Sequence, residues 1–258
     1  MKPISLSDKV ILPAVTFIVV AGIWAGISHL GGSFLPDPIK TFTRSWTLMI
    51  HPFLDSGPNN KGIGWHLLAS LTRVLTGFGL AALVGVPLGF LIGSSPKFLA
   101  ALNPLIQILR PVSPLAWLPI GLATFKGASL AAIFVIFITA IWPVTINTAF
   151  GVSQINRDHL AVARILRLSK WQTLWKILFP ATLPHIFTGL KVGLGVAWLV
   201  IVAAEMLTGG TGIGFFIWDE WNNLSLEHII LAILIIGGTG LILDFLISTL
   251  AKRYEYIT

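Results

Sequence analysis

The 258-residue chain contains no cysteine, so it can form no disulfide, no thiolate metal site and no thiol nucleophile. Charge is scarce as well: Asp, Glu, Lys and Arg make up 10% of the residues, where a soluble domain carries about a quarter. The six histidines are scattered and show no ligand spacing. There is no Walker A pattern and no G-x-S-x-G. No plausible catalytic constellation, such as paired aspartates or a Ser with a nearby His, stands out for an intramembrane enzyme.

What is abundant is apolar. Hydrophobic residues make up 55% of the chain. The apolar runs are about 20 residues long, the length of a membrane-crossing helix. Lipid admits only helices or closed barrels, and the runs lack the dyad alternation of barrel strands. The net charge of +7 reads as topology and not as nucleic-acid affinity, because the basic residues cluster at span ends and in a central loop. The expected fold class is an all-α polytopic membrane protein of about six transmembrane helices, a single domain over 1–258.

The first span is expected at 10–30, flanked by Lys2 and Lys9. It is too long for a signal-peptide core and lacks a convincing cleavage site. Residues 31–65 read as an outer loop. A short helix near 39–50 lies along the membrane surface, or is a helical turn in a plain loop. The second span, 67–92, carries Gly85, Gly89 and Gly93 on one face, where small residues let helices approach closely. The third begins near Phe98 and is broken by Pro104, Pro111, Pro114 and Pro119. Irregular backbone at membrane depth is tolerated only inside protein or along a cavity, so this segment should face the centre of the assembly. Further spans are expected at 129–150, 183–206 and 228–250. The stretch TGGTGIGFFIWDEWNN between the last two reads as an outer loop, and Asp219, Glu220 and Glu227 face no basic residue there.

Residues 157–184 form a basic island between apolar runs. Arg157, Arg164, Arg167, Lys170 and Lys176 are offset only by Asp158. The positive-inside rule puts this loop, and both termini, on the cytoplasmic side. The motif positions Ala161, Val162, Ala163 and Arg167, ending in Phe179 and Pro180, resemble the coupling helix of ABC-importer permeases. That motif is written E-A-A, three residues, Gly, with a closing Leu-Pro. Here Ala161 replaces the Glu and Arg167 the Gly. SLTRVLTGFGLAALVGVPLGFLIG at 70–93, LRPVSPLAWLPIGLA at 109–123 and GLKVGLGVAWLVIVAAEMLTGGTGIGFFIWD at 189–219 are similar to permeases for nitrate/nitrite, bicarbonate, taurine and alkanesulfonates. They look most like the cyanobacterial nitrate/nitrite and bicarbonate members.

The resemblance implies a type I importer permease fold with a cytoplasmic coupling helix, at about 153–182, in a bacterial inner membrane. It implies a second copy of the chain, two cytoplasmic ATPase subunits and an extracytoplasmic solute-binding protein. ATP and Mg would be bound by the ATPase subunits, with no cofactor in this chain. The cargo would be a small oxyanion, nitrate/nitrite foremost, with bicarbonate or taurine/alkanesulfonate as alternatives. An ATP-independent anion channel is the competing class, and it would need no coupling loop.

For docking to the ATPase, the candidates are Ala161, Ala163, Arg164, Leu166, Arg167, Leu168 and Lys170. Leu160, Ala163, Leu166 and Leu168 are interleaved at helical spacing and would fill a groove in the partner. The cations could equally be anchors of topology alone. For a translocation path, the candidates are Gln107, Arg110, Trp117, Asn147, Lys191, Trp198 and Glu205. Arg110 sits in the proline-broken segment, and its planar fork suits an oxyanion. Alternatively, it snorkels to the interface. Lys191 and Glu205 share a face of the fifth span about 21 Å apart. Lys191 could line the path or bond a neighbouring helix, and Glu205 reads as gating or structural. Asp244 reads as a partner for a helix end. Helix-to-helix hydrogen bonds explain Gln107 and Asn147 as well as contact with cargo does.

Overall fold

The computed structural model describes residues 8–30, 35–55, 57, 61–155, 161, 163 and 165–255. Every regular element among them is helical. Five helices are long and apolar enough to cross a membrane, and a bent helix pair makes a sixth if it counts as one broken span. The chain divides into two compact units, one drawn from Met1–Gly64 and Ile217–Ile235, the other from Trp65–Phe216 and Ile236–Thr258.

In the first unit, α1 (Asp8–Leu30) leaves its apolar side chains uncovered, with Phe17 and Ile18 about 70% exposed. Two short helices, α2 (Pro38–Arg44) and α3 (Trp46–Ile50), stand where one was expected, divided at Ser45. Asp37 starts α2: its carboxylate accepts from the Lys40 amide at 2.8 Å, and Pro38 occupies the first turn, where a missing N–H costs nothing. The pattern of burial is inverted relative to a soluble protein. Thr41 and Ser45 are fully buried, while Ile39, Trp46 and Ile50 are exposed. The acidic stretch is not free of bases, contrary to the expectation from sequence. Arg44 donates to Glu227 at 2.8 Å, and His228 Nδ1 lies 2.8 Å from Glu220. The first contact joins residues 183 apart, which no local pattern can show, while the second lies within eight residues of chain.

The second unit is built on three long helices: α4 (Ile63–Ser94), α7 (Ala128–Ser153) and α8 (Lys170–Thr208). Between α4 and α7 lie α5 (Pro96–Leu109), a 3-10 turn at Pro114–Trp117 and α6 (Leu118–Phe125). The glycine face of α4 does what its spacing suggested. A Cβ on Gly89 would sit 2.5 Å from the Thr148 side chain, and one on Gly93 would meet Ala149 and Val152. The α4 backbone therefore touches α7 directly. Val74, Ala81, Ile136, Ala140, Ala197 and Ile201 form the centre of the apolar core.

Two element expectations change. The fifth span begins earlier than 183: α8 runs back through a π-helical turn at Leu174–Leu178 to Lys170. The supposed outer loop contains a helix, α9 (Ile213–Asn222), before α10 (Leu226–Glu255). Gly209 and Gly210 adopt φ of +76° and +90°, which only glycine does easily, and so end α8. Their turn chemistry masked the helix that follows.

Candidate translocation path and coupling site

The chain turns sharply around Arg110. Pro111 and Pro114 have no N–H to continue α5, so the last regular bond is from Arg110 N–H to Ile106 O at 2.9 Å. The pair formed by α5 and the segment Pro114–Phe125 is bent by 94°. Arg110 stands exposed at this corner, in the wall of two cavities. The larger, about 920 Å³, also takes polar groups from Asn103, Gln107 and Ser153. The smaller, about 320 Å³, is walled by Trp117, Trp142, Pro143 and Asn147. The Asn147 amide donates to Pro143 O at 2.8 Å, which fixes its orientation at the rim. Gln107 and Arg110 thus share the larger cavity, and Arg110, Trp117 and Asn147 the smaller.

Lys191, Trp198 and Glu205 lie elsewhere. Trp198, a path candidate by sequence, is a core side chain, 5% exposed, with its indole N–H donating to Ile236 O at 3.1 Å. Lys191 pairs with Asp244 at 3.2 Å, and both are about half exposed. Asp244 therefore partners a lysine across helices and not a helix end.

Glu205 is enclosed, 1% exposed, and fully engaged. Arg73 reaches it at 2.5 Å, Ser70 donates to it at 2.7 Å, and the Gly214 N–H donates at 3.1 Å. Arg73 also donates to Thr211 O at 2.6 Å and Ser129 at 3.0 Å. Ser70 accepts from Ile213 N–H, and His66 Nδ1 lies 2.9 Å from Gly212 O and 3.1 Å from Gly212 N. Gly212 and Gly214 have no room for a Cβ against Glu205 and Val202. This clasp ties α4, α8 and the start of α9 together, and it leaves the Glu205 carboxylate enclosed by its own partners. Sequence reasoning missed Arg73, Ser70 and His66. The signal was available: a buried acid needs a cation, and Arg73 is the one Lys or Arg within α4.

The basic loop resolves into a helix end, a turn and a new helix. The Leu168 N–H donates to Ala163 O at 3.0 Å, while Arg167 adopts φ +50°. A bond of that span closing over a left-handed residue is the Schellman helix stop, whose left-handed position usually takes glycine. Arg167 stands where the coupling motif has its Gly, and it adopts a backbone conformation that favours glycine. Ser169 then caps α8. Its hydroxyl accepts from Gln172 N–H at 3.2 Å, and its own N–H donates to the Gln172 side chain at 3.0 Å.

The expectation of one continuous apolar face through Leu168 is therefore corrected. The turn at Arg167 breaks the period, Ala163 is buried within the chain, and Ala161 and Leu168 are half-buried. Ile165 and Leu166 are the exposed apolar pair, 79% and 63%, with Arg167 and Lys170 exposed beside them. The sequence reading passed over Ile165. Arg164 lies outside the described residues, as do Arg157, Asp158, Leu160 and Val162.

Residues 85–256 match the family described as the inner membrane component of binding-protein-dependent transport systems. The chain belongs to that family. Among the relatives of this permease, the nitrate import permease protein NrtB of Synechocystis sp. is 51% identical over 95% of this chain and 89% of its own. The bicarbonate transport system permease protein CmpB of Synechococcus elongatus is 47% identical over the same shares. The taurine transport system permease protein TauC of Escherichia coli is 31% identical over 96% of this chain and 90% of its own. In inward-facing structures of the MetNI methionine ABC transporter, one chain superposes with a TM-score of 0.62, covering 77% of this permease and 99% of that chain at 15% identity. At that identity, the likeness speaks for the fold alone, in which every regular element among the described residues is a helix.

Proposed function

We propose that this permease forms the membrane path by which an ATP-driven importer moves a small planar oxyanion, nitrate foremost. The observation that carries this reading is Arg110, a guanidinium exposed in the wall of two cavities at the proline-broken corner of an apolar chain. The likeness to nitrate permeases supports it. A planar guanidinium offers parallel N–H groups to a planar oxyanion. Gln107 and Asn147 add neutral donors, and Trp117 closes one wall. Nitrate is singly charged and weakly hydrated, so a modest positive potential offsets its desolvation, and a stronger one would hold it back.

The permease works as a pair of copies, with a solute-binding protein outside and two ATPase subunits in the cytoplasm that hold ATP and Mg. Both termini are cytoplasmic, and the chain itself holds no cofactor. Ile165, Leu166, Arg167 and Lys170 form the surface an ATPase groove would grip, with Arg164, Ala161, Ala163 and Leu168 behind or beside it. Bicarbonate is the second reading. It is also planar and singly charged, and a bicarbonate permease is nearly as similar. Reconstituting the complex with each loaded binding protein separates the two. The nitrate-loaded protein should stimulate ATP hydrolysis and drive nitrate uptake. Stimulation by the bicarbonate-loaded protein alone would move the assignment to bicarbonate.

A further inference from the structure

A cavity of about 550 Å³ lies in the first unit, walled by Ser28, His29, Asp37, Lys40, Arg44 and Glu227 among others. Its depth follows from α1. The 23 residues of α1 rise about 34 Å at 1.5 Å each, slightly more than the hydrocarbon thickness of about 30 Å. Ser28 and His29, in the last turn of α1, therefore emerge at the level of the lipid headgroups.

The charges in the cavity are unevenly committed. Glu227 is held by Arg44 at 2.8 Å, and Asp37 is occupied by the Lys40 amide at 2.8 Å. The Lys40 ammonium has no ion-pair partner among the described residues, and Arg44, 70% exposed, keeps further N–H groups. Lys40 and Arg44 are matched in number by Asp37 and Glu227, so the pocket carries both signs, with only Arg44 and Glu227 joined to each other. Apolar side chains border the site: Leu35 in its wall is 40% exposed, and Ile27 and Ile39 are 52% and 76% exposed. A polar pocket of both signs, with Lys40 unpaired, set at headgroup depth beside uncovered apolar surface, has the chemistry of an amphiphile whose headgroup also carries both signs, and not of a free anion, which would meet the two carboxylates with no cationic group and no acyl chains of its own.

We propose that this cavity seats the phosphodiester headgroup of a membrane phospholipid, with Lys40 and Arg44 on the phosphate oxygens and the acyl chains lying along the uncovered face of α1. The site tethers the short helices α2 and α3 to the bilayer, and it does not rest on the identity of the cargo.

The test uses the assembled complex in nanodiscs containing a phospholipid with a photoactivatable headgroup, the crosslinks being mapped by mass spectrometry. Crosslinks should concentrate between Ser28 and Arg44. Lys40→Gln with Arg44→Gln should lower them by roughly tenfold, as expected for losing charge-assisted contacts, while Lys40→Arg keeps them. Lys40→Gln alone leaves the Arg44–Glu227 pair intact and should still lower the signal, which covers the case of a misfolded double variant. Inorganic phosphate at millimolar concentration should not compete. Equal crosslinking in wild type and Lys40→Gln, or displacement by inorganic phosphate, would overturn the proposal.

Discussion

Arg73 and Glu205 meet at 2.5 Å inside the second unit, 132 residues apart in sequence, with Glu205 wholly shielded from solvent. A buried pair of this kind is costly to break from one side, because the abandoned charge stays enclosed. Losing one partner costs about 3–5 kcal/mol, whereas replacing both by apolar groups can be nearly neutral. Arg73→Met and Glu205→Met should each lower the thermal stability of the purified permease sharply, and the double variant should recover much of the loss. Additive losses in a melting series would show that the two side chains act independently.

The glycines of α4 give a contrast within one helix. Gly89 has no space for a side chain against Thr148, while Gly79 has nothing within 4 Å of an added Cβ. Gly89→Leu should prevent α4 from closing on α7 and abolish a cooperative melt. Gly79→Ala should be tolerated, or stabilise by roughly 0.5–1 kcal/mol through helix propensity. Equal tolerance at both sites, read by denaturation in detergent, would contradict the direct contact of backbones.

Arg167 carries a conformation suited to glycine. A non-glycine residue in the left-handed region costs about 1–2 kcal/mol. Arg167→Gly should therefore leave the fold intact or strengthen it, while Arg167→Val should weaken it. If the arginine also pairs with an acid on the ATPase subunit, the Gly variant will assemble more weakly with that subunit despite its sounder fold. Melting and pull-down measured together separate the two effects.

Ile165 and Leu166 bear on coupling. Replacing both with Asp places charge at an exposed surface of the free chain, so membrane insertion should be normal. In an apolar groove of a partner, those charges would have no counterpart and would cost a few kcal/mol. Transport should fail and association with the ATPase subunits weaken. Full uptake by the double variant would remove the case for this segment as the docking surface.

Some of this was legible in the sequence. The spans are long apolar runs, and the glycine face of α4 repeats every four residues, so local periodicity carries both. The prolines around Arg110 announce the broken span, because none of them can donate the N–H a continuous helix needs. What sequence could not show is pairing at a distance. Arg44 with Glu227, Arg73 with Glu205 and Lys191 with Asp244 each join parts of the chain that only the packed helices bring together. The helix α9 was hidden because Gly209 and Gly210 do signal a turn, and the turn is real; the helix simply begins after it. Arg167 misled in the opposite way, since an arginine gives no hint of a left-handed helix stop.

Arg110 remains the residue on which the transport reading stands, and replacing it is the most direct measurement. Nitrate uptake by the complete complex in vesicles should fall about 10- to 100-fold in Arg110→Gln, the loss of charge-assisted hydrogen bonds worth about 1.5–3 kcal/mol. Stimulation of ATP hydrolysis by the loaded binding protein should survive, at least in part. Arg110→Lys should restore only some uptake, because the planar fork is gone. Wild-type uptake by an assembled Arg110→Gln complex would contradict the assignment and leave Arg110 as an anchor at the membrane interface.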